Sequence, residues 1–253
     1  MNIVIIGSGN AATVLGRKFK TAGHAIVQII SRNASQASEL AYEWDTESAN
    51  YLSLINRDAD VYLIAVTDSA IPSVVADLRL PGKVIAHTAA SVPMEVLKHV
   101  STHYGVFYPL QSLIKEMNEL PEIPIFIDGN DEFARRTLEK LAHSISFDHV
   151  LPAGDEQRIK MHIAAVIVNN FVNHLYTLIE DYCRKEGLDF KQLVPLIEET
   201  ASRLEKASPK DVQTGPAIRG DQVTIDKHLE ILEGHPRLKE LYGAITASIR
   251  HSG

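Results

Sequence analysis

The sequence predicts an α/β chain: a doubly wound, mostly parallel sheet followed by an all-helical carboxy-terminal domain. Three observations carry this. Short apolar runs alternate with helical stretches as far as residue 150, the order that builds a parallel sheet covered on both faces. The first run, residues 1–6, passes straight into a glycine-rich turn that opens a helix. After Leu151-Pro152-Ala153-Gly154 the strand pattern gives way to long helical stretches, and Pro and Gly mark the change.

Taken in order, residues 1–6 read as a buried strand, 11–22 as a helix closed by Gly23, and 25–30 as a second strand. A βαβ unit is thereby complete in about 30 residues, the length such units need. Residues 34–44 read as a helix, 61–66 as a strand, 72–78 as a helix and 83–87 as a buried strand. Strands follow at 105–108 and 123–127, then a helix at 131–143 and a strand at 145–150. The junction places one domain at residues 1–152 and a helical one at 153–253. In the latter, Asp155 is expected to cap a helix that reaches about Lys185 and ends at Gly187. Asp189 with Gln192 resembles a capping box, and Pro195 sits early in the next helix or kinks it. A shaped loop over 208–221 leads to helices at 224–233 and 236–249.

The turn after the first strand reads Gly7-Ser8-Gly9-Asn10-Ala11-Ala12, of the form G-x-G-x-x-A. Gly7 permits the tight turn, Gly9 lets backbone approach a pyrophosphate, and Ala12 keeps the helix close to the sheet. The pyrophosphate is then expected on free N–H groups at the helix's positive end, with Ser8, Asn10 and Ala11 alongside. At the tip of the second strand a carboxylate would hold a ribose 2′-hydroxyl, but the chain reads Ser31-Arg32-Asn33. A planar guanidinium between two small hydrogen-bonding side chains suits a 2′-phosphate. The expected cofactor is therefore NADP(H).

Composition narrows the class. In 253 residues, 45% are hydrophobic and 23% charged, as in a globular protein with a core. A net charge of −7 argues against a nucleic-acid binder or a ligand of acidic membranes. Cys183 is the only cysteine, so no intramolecular disulfide or cysteine cluster forms, and a reducing compartment fits. No signal peptide and no run of membrane-spanning length is visible, and the expected location is cytoplasmic. The remaining histidines lack metal-ligand spacing, and no metal is expected.

Ligands of an open α/β sheet collect beyond the carboxyl ends of its strands. Val66-Thr67-Asp68 and His87-Thr88 are thus expected at the nicotinamide half of the cofactor. His87 is either an acid/base group or a core histidine satisfied by main chain, and Asp68 is expected to cap the following helix. On the long helix His162, Asn169 and Asn173 are spaced by seven and four residues, which places them on nearly one stripe at 3.6 residues per turn. The apolar residues 163–168 between them predict a buried turn whose polar side chains need partners. His162 is the favoured proton donor, with Asn169 or Asn170 orienting substrate and Asn173 adjoining; interhelical hydrogen bonds at a dimer interface are the alternative. Arg219, the cation of the segment Gly215 to Asp221, is a candidate for capturing a substrate carboxylate or phosphate, or else a partner of Asp221.

A nucleotide-binding Rossmann domain followed by helices resembles the superfamily of pyrroline-5-carboxylate reductases, 6-phosphogluconate dehydrogenases and ketopantoate reductases. More closely, the chain is similar to bacterial Rossmann-like oxidoreductases whose carboxy-terminal half is a domain of unknown function. The resemblance rests on Gly7-Ser8-Gly9-Asn10 with Ala12, Ala65-Val66-Thr67-Asp68 with Ile71, His87-Thr88-Ala89-Ala90-Ser91 and Tyr108-Pro109-Leu110-Gln111-Ser112. It continues through His162-Ile163-Ala164-Ala165 with Asn170 and through residues 215–221. Tyr108 departs from the histidine common before that proline, so no proton-transfer role is carried to it. The resemblance implies hydride transfer between NADP(H) and a small carbonyl, imine or hydroxy compound bound between the two domains, and makes Lys160 a second candidate proton donor. A non-catalytic NADP(H)-binding regulatory or scaffold protein and a deazaflavin-linked reductase are the rivals. The apolar helix faces exceed what the carboxy-terminal domain can hide alone, which predicts a homodimer through it.

Overall fold

The computed structural model describes residues 1–116 and 122–251. Strands β1 (Asn2–Ile6), β2 (Ala25–Ile30), β3 (Glu47–Ala49), β4 (Val61–Ile64), β5 (Val84–His87), β6 (His103–Pro109), β7 (Ile125–Gly129) and β8 (Val150–Pro152) form one sheet in the order β3-β2-β1-β4-β5-β6-β7-β8. All neighbours are parallel except β6 and β7. Helices α1 (Asn10–Thr21), α2 (Ala34–Trp44), α3 (Ile71–Ala76) and α4 (Glu132–His143) connect them. The doubly wound, mostly parallel arrangement is the one the alternating sequence predicts.

Successive strand residues face opposite sides of a sheet, and here both sides are dry. Ile3 and Ile5 join Leu15, Phe19, Trp44 and Leu138 on the face covered by α1, α2 and α4. Val4 and Ile6 join Tyr62, Ile64, Ile71 and Leu97 on the other. Burial on both faces is why β1, β4 and β5 read as unbroken apolar runs.

Four details differ from expectation. The short strand β3 has no apolar pattern to announce it; it exists because β2 offers it a parallel edge from Gln28 to Ile30. The last strand begins at Val150, later than the predicted 145, because the amides of Ile145 and Ser146 both turn back to the carbonyl of Ala142. Asp155 is the first residue of α5 (Asp155–Ala165) and Gly154 its N-cap; the carboxylate reaches elsewhere. The long helix also changes pitch: a π-helical segment, Val166–Phe171, separates α5 from α6 (Val172–Glu186).

The chain divides into two compact units, Met1–Asn169 and Asn170–Gly253. The second holds α6, closed by Gly187 in the left-handed conformation, then α7 (Val194–Arg203), α8 (Pro216–Arg219), α9 (Gln222–Ile231) and α10 (Pro236–His251). Pro195 enters at the first turn of α7, where its missing N–H costs nothing. The Gly215–Asp221 segment is not all loop: α8 makes one turn, and Asp221 caps α9 by accepting from the Thr224 amide. His228 Nδ1 meets the Tyr242 hydroxyl at 2.8 Å and ties α9 to α10. Among the described residues no helix is long and apolar enough to cross a membrane.

Candidate functional site

The sheet order reverses between β1 and β4, and such a switch point opens a crevice beyond the strand ends. Gly7 leaves β1 with φ +132°, and a Cβ there would lie 2.1 Å from the Ala65 carbonyl oxygen. The fold itself therefore requires this glycine. Gly9 is different. Its φ of −82° is open to any residue, and an added Cβ would meet nothing within 4 Å. Gly9 is the N-cap of α1 and gives that helix no side-chain cap, so the first amides of α1 lack an intrahelical acceptor.

A cavity of about 1150 Å³ opens over this turn, lined by Gly7 to Ala11, Ser31 to Asn33, Tyr51, Val66 and Thr67 among others. Arg32 is exposed within it, and among the described residues its guanidinium makes no hydrogen bond or ion pair. Ser31 and Ser8 join their hydroxyls at 2.7 Å. Asn33 is already engaged: its side chain accepts from the Gln36 amide and caps α2. Ala12 faces the core, fully buried. Empty space over Gly9, uncommitted helix amides and an unpaired cation at the β2 tip form a cradle that fits a phosphorylated dinucleotide.

At the ends of β5 and β6 the side chains hold one another. His87 is completely buried, and its Nδ1 accepts from the Ala89 amide at 3.2 Å. Burial, reinforced by the Arg158 cation, pushes His87 down to about 4, so it stays neutral near pH 7. Thr88 turns its hydroxyl to the Ile64 carbonyl, 3.4 Å away. Asp68 does not cap the turn that follows it; its carboxylate crosses to the Ser91 hydroxyl. Arg158, fully buried on α5, donates to the carbonyls of Ala90 (3.1 Å) and Val92 (2.7 Å) and pairs with Asp155 at 2.7 Å. Asp155 in turn accepts from the Met94 amide at 3.2 Å. The loop over 88–94 is thus fastened at nearly every residue.

One turn along α5, at i+4 from Arg158, His162 sets Nδ1 2.9 Å from the hydroxyl of Tyr108 on β6. Burial, with a contribution from Asp68, pushes the Tyr108 phenol up to about 12. Ser112, beyond the end of β6, donates to Asn169 Oδ1 at 2.8 Å. Lys160 points away, paired with Glu156 on an exposed face.

Comparison with known proteins adds a family to this geometry. Residues 2–91 match the family described as NADP oxidoreductase, coenzyme F420-dependent, and residues 123–249 match the domain of unknown function DUF2520. A protein of Bacteroides fragilis, described provisionally as an NADP oxidoreductase, is 37% identical over 99% of this chain and 98% of its own, with a TM-score of 0.88. The chain belongs to the DUF2520 family. Its cofactor class is NADP(H), in agreement with the cradle around Gly9 and Arg32. A 1-pyrroline-5-carboxylate reductase of Streptococcus pyogenes shares the fold at 15% identity, covering 99% of this chain and 98% of its own, with a TM-score of 0.69. A reductive aminase of Aspergillus terreus, solved with NADPH and ethyl-5-oxohexanoate, shares it at 16% identity, covering 99% and 91%, with a TM-score of 0.70. No curated protein matches the chain.

In this DUF2520 chain the predicted polar stripe does not survive in register. A π-helix closes i→i+5 hydrogen bonds, so the seven-residue step from His162 to Asn169, which ends inside Val166–Phe171, no longer follows the 3.6-residue period. The buried turn expected at 163–168 is also open: Ile163, Ile167 and Val168 are 54%, 51% and 70% exposed. In the second unit Asn170, Asn173 and Arg219 are all exposed. Arg219 makes no ion pair among the described residues, and Asp221 accepts from the amide and hydroxyl of Thr224. The partners that sequence reasoning left without a role are Tyr108, Ser112 and Arg158, and Asp155 reads in sequence only as a helix cap. Tyr108 and Ser112 stood inside a quoted motif; Arg158 carried no signal, since one arginine in a helix normally reads as a solvated face.

Proposed function

We propose that this protein is an NADP(H)-dependent oxidoreductase that transfers a hydride between its cofactor and a small carbonyl, imine or hydroxy compound, with His162 handling the proton. The observation that carries it is the space above Gly9 beside an unpaired Arg32, which the fold does not need and a phosphorylated dinucleotide does. Backbone amides of residues 9–12 would take the pyrophosphate, Arg32 and Ser31 the 2′-phosphate, and Val66 and Thr67 the path toward the nicotinamide. The cofactor supplies the hydride and its acceptor; the chain orients substrate and stabilises the charge that develops on it.

At the reacting end His162 is held by Tyr108 and is partly exposed, whereas His87 is sealed and Lys160 is paired in solvent. His162 is therefore the proton-transfer residue, Asn169 orients substrate from the same helix, and His87 with Thr88 shapes the loop beneath. Arg219, exposed and unpaired, suits an anionic group on the substrate, with Asn170 and Asn173 as further polar contacts. The exposed Ile163, Ile167 and Val168, with Phe171 and Leu196 in the second unit, support a homodimer through the carboxy-terminal helices. A deazaflavin as hydride partner is the second reading, favoured by the description of the family matching residues 2–91.

The test is calorimetry with NADPH, followed by NADPH oxidation against a panel of carbonyls and imines, with a reduced deazaflavin assayed separately against NADP+. Binding and turnover that is lost in His162→Gln is the expected result. Absence of binding refutes the assignment, binding without turnover favours a regulatory protein, and a lone monomer in light scattering removes the dimer.

A further inference from the structure

The sheet fixes Tyr108 before it meets His162. Its backbone pairs with Phe126 of β7, and its ring stacks on that phenylalanine with centroids 6.4 Å apart. His162 stands edge-on to the same ring, at 79° and 6.0 Å between centroids, and among the described residues Nδ1 of His162 is the hydroxyl's one partner. A rigid donor thus meets one nitrogen of a ring on a neighbouring helix. We infer that Tyr108 is a positioning residue that engages Nδ1 of His162 and so reserves Nε2 for the reacting atom of the substrate. This rests on His162 as the proton-handling group.

The chemistry follows from what a phenol can do, since its hydroxyl both donates and accepts. Against the neutral ring it donates to Nδ1, which places the ring proton on Nε2. Against the imidazolium it accepts from Nδ1–H, and Nε2 again carries a proton. In proton transfer the Nε2–H bond of the imidazolium breaks, the proton passes to the oxygen or nitrogen gaining negative charge, and the ring is left neutral with its remaining proton on Nδ1, bonded to the Tyr108 oxygen, until proton exchange with solvent returns it to the resting Nε2–H form. Tyr108 keeps its own proton: burial and Asp68 both hold the phenol in its neutral form, and Arg158 only partly opposes them. The link from Ser112 to Asn169 anchors the same helix seven residues on, so the end of β6 holds the helix at both candidate side chains.

Nitrogen-15 spectra of the full chain with labelled histidine test this without turnover, His162→Gln identifying the His162 resonances. In the wild type the neutral ring should show Nε2 protonated and Nδ1 as an unprotonated, hydrogen-bonded nitrogen. Tyr108→Phe keeps the packed ring and should move Nδ1 downfield, to the position of a free imine nitrogen. Where a substrate is in hand, kcat should fall on the order of tenfold with the KM for NADPH unchanged, less than the roughly 10²–10⁴-fold that a proton-transfer group itself contributes. A wild-type Nδ1 that already resonates as a free nitrogen overturns the inference whatever the variant does, and so does an Nδ1 resonance indifferent to Tyr108→Phe. Turnover that survives His162→Gln overturns the proton assignment as well, a result distinct from either spectrum.

Discussion

Replacing each glycine of the turn by alanine separates what the fold needs from what the ligand needs. At Gly9 the backbone sits at φ −82° and ψ −171°, where alanine is unstrained, and its Cβ would meet nothing within 4 Å. Two small effects oppose each other: alanine loses less chain entropy on folding, worth about 0.4–1 kcal/mol, but is a poorer N-cap than glycine by a similar amount. Stability should change by no more than about 0.5 kcal/mol, a Tm shift of roughly 2 °C at this chain length. Binding should respond strongly. A phosphate oxygen hydrogen-bonded to a backbone amide sits about 2.9 Å from the nitrogen, whereas a methyl carbon needs about 3.5 Å from its neighbours. Affinity for NADPH should fall at least about tenfold, equivalent to 1.4 kcal/mol. Gly7→Ala reverses the pattern: its Cβ would stand 2.1 Å from the Ala65 oxygen at φ +132°, a backbone strain plus collision of about 3 kcal/mol or more. Thermal unfolding and calorimetry on both variants give four numbers. If Gly9→Ala melts with the wild type and also binds NADPH like it, no phosphate lies over Gly9 and the cradle has been misassigned.

Arg32→Ala should weaken NADPH by at least about tenfold and leave NADH unchanged in the same calorimeter, because in the proposed site the cation would meet only the 2′-phosphate. Arg158→Met removes two carbonyl partners and strands Asp155; a loss of about 3 kcal/mol should lower Tm by on the order of 10 °C. His87 is lowered from 6.5 to about 4 in the folded state, so the unfolded chain binds the extra proton between those values and stability rises with pH across that window. Its contribution, up to about 3 kcal/mol, is complete above 6.5 and lost as pH falls to about 4. Urea unfolding of wild type and His87→Gln at the two ends should show the variant's pH dependence reduced by that amount.

The fold was legible because its signals are local and repeated. A strand buried on both faces must be apolar throughout, and a strand that turns into a phosphate-binding helix must carry glycine where φ is positive; β1 with Gly7 shows both within seven residues. The strand β3 was not legible for the converse reason. Glu47, Ser48 and Ala49 bury little, and their conformation is set by hydrogen bonds to β2, a partner in the sheet and not a property of the segment. The same holds for Asp68, Asp155 and Asp189, which all look like caps in one dimension. Of the three, only Asp189 accepts from an amide of its own helix, that of Lys191; Asp68 and Asp155 reach the loop after β5, and Asp155 also pairs with Arg158.

The candidate site divides along the same line. Its cofactor half is one continuous stretch plus one strand tip, so Gly7 to Ala11 and Ser31 to Asn33 could be read off and do line one cavity. The groups around His162 come from β5, β6 and α5, which no continuous stretch of sequence announces. A period of 3.6 assumes an α-helix throughout, whereas Val166–Phe171, which contains Asn169, is π-helical and departs from that period. Such segments persist where something offsets their poorer backbone geometry. Here Asn169 within the segment is held by Ser112, while Val168 beside it is left 70% exposed. The register break therefore places a polar side chain on the end of β6 and an apolar one in the open, the pairing expected where one helix serves both a site and an interface. Asn169→Leu, which removes the polar grip but keeps the apolar surface, should lower turnover and leave the oligomeric state in light scattering unchanged; a variant that dissociates instead would show that Asn169 serves the interface.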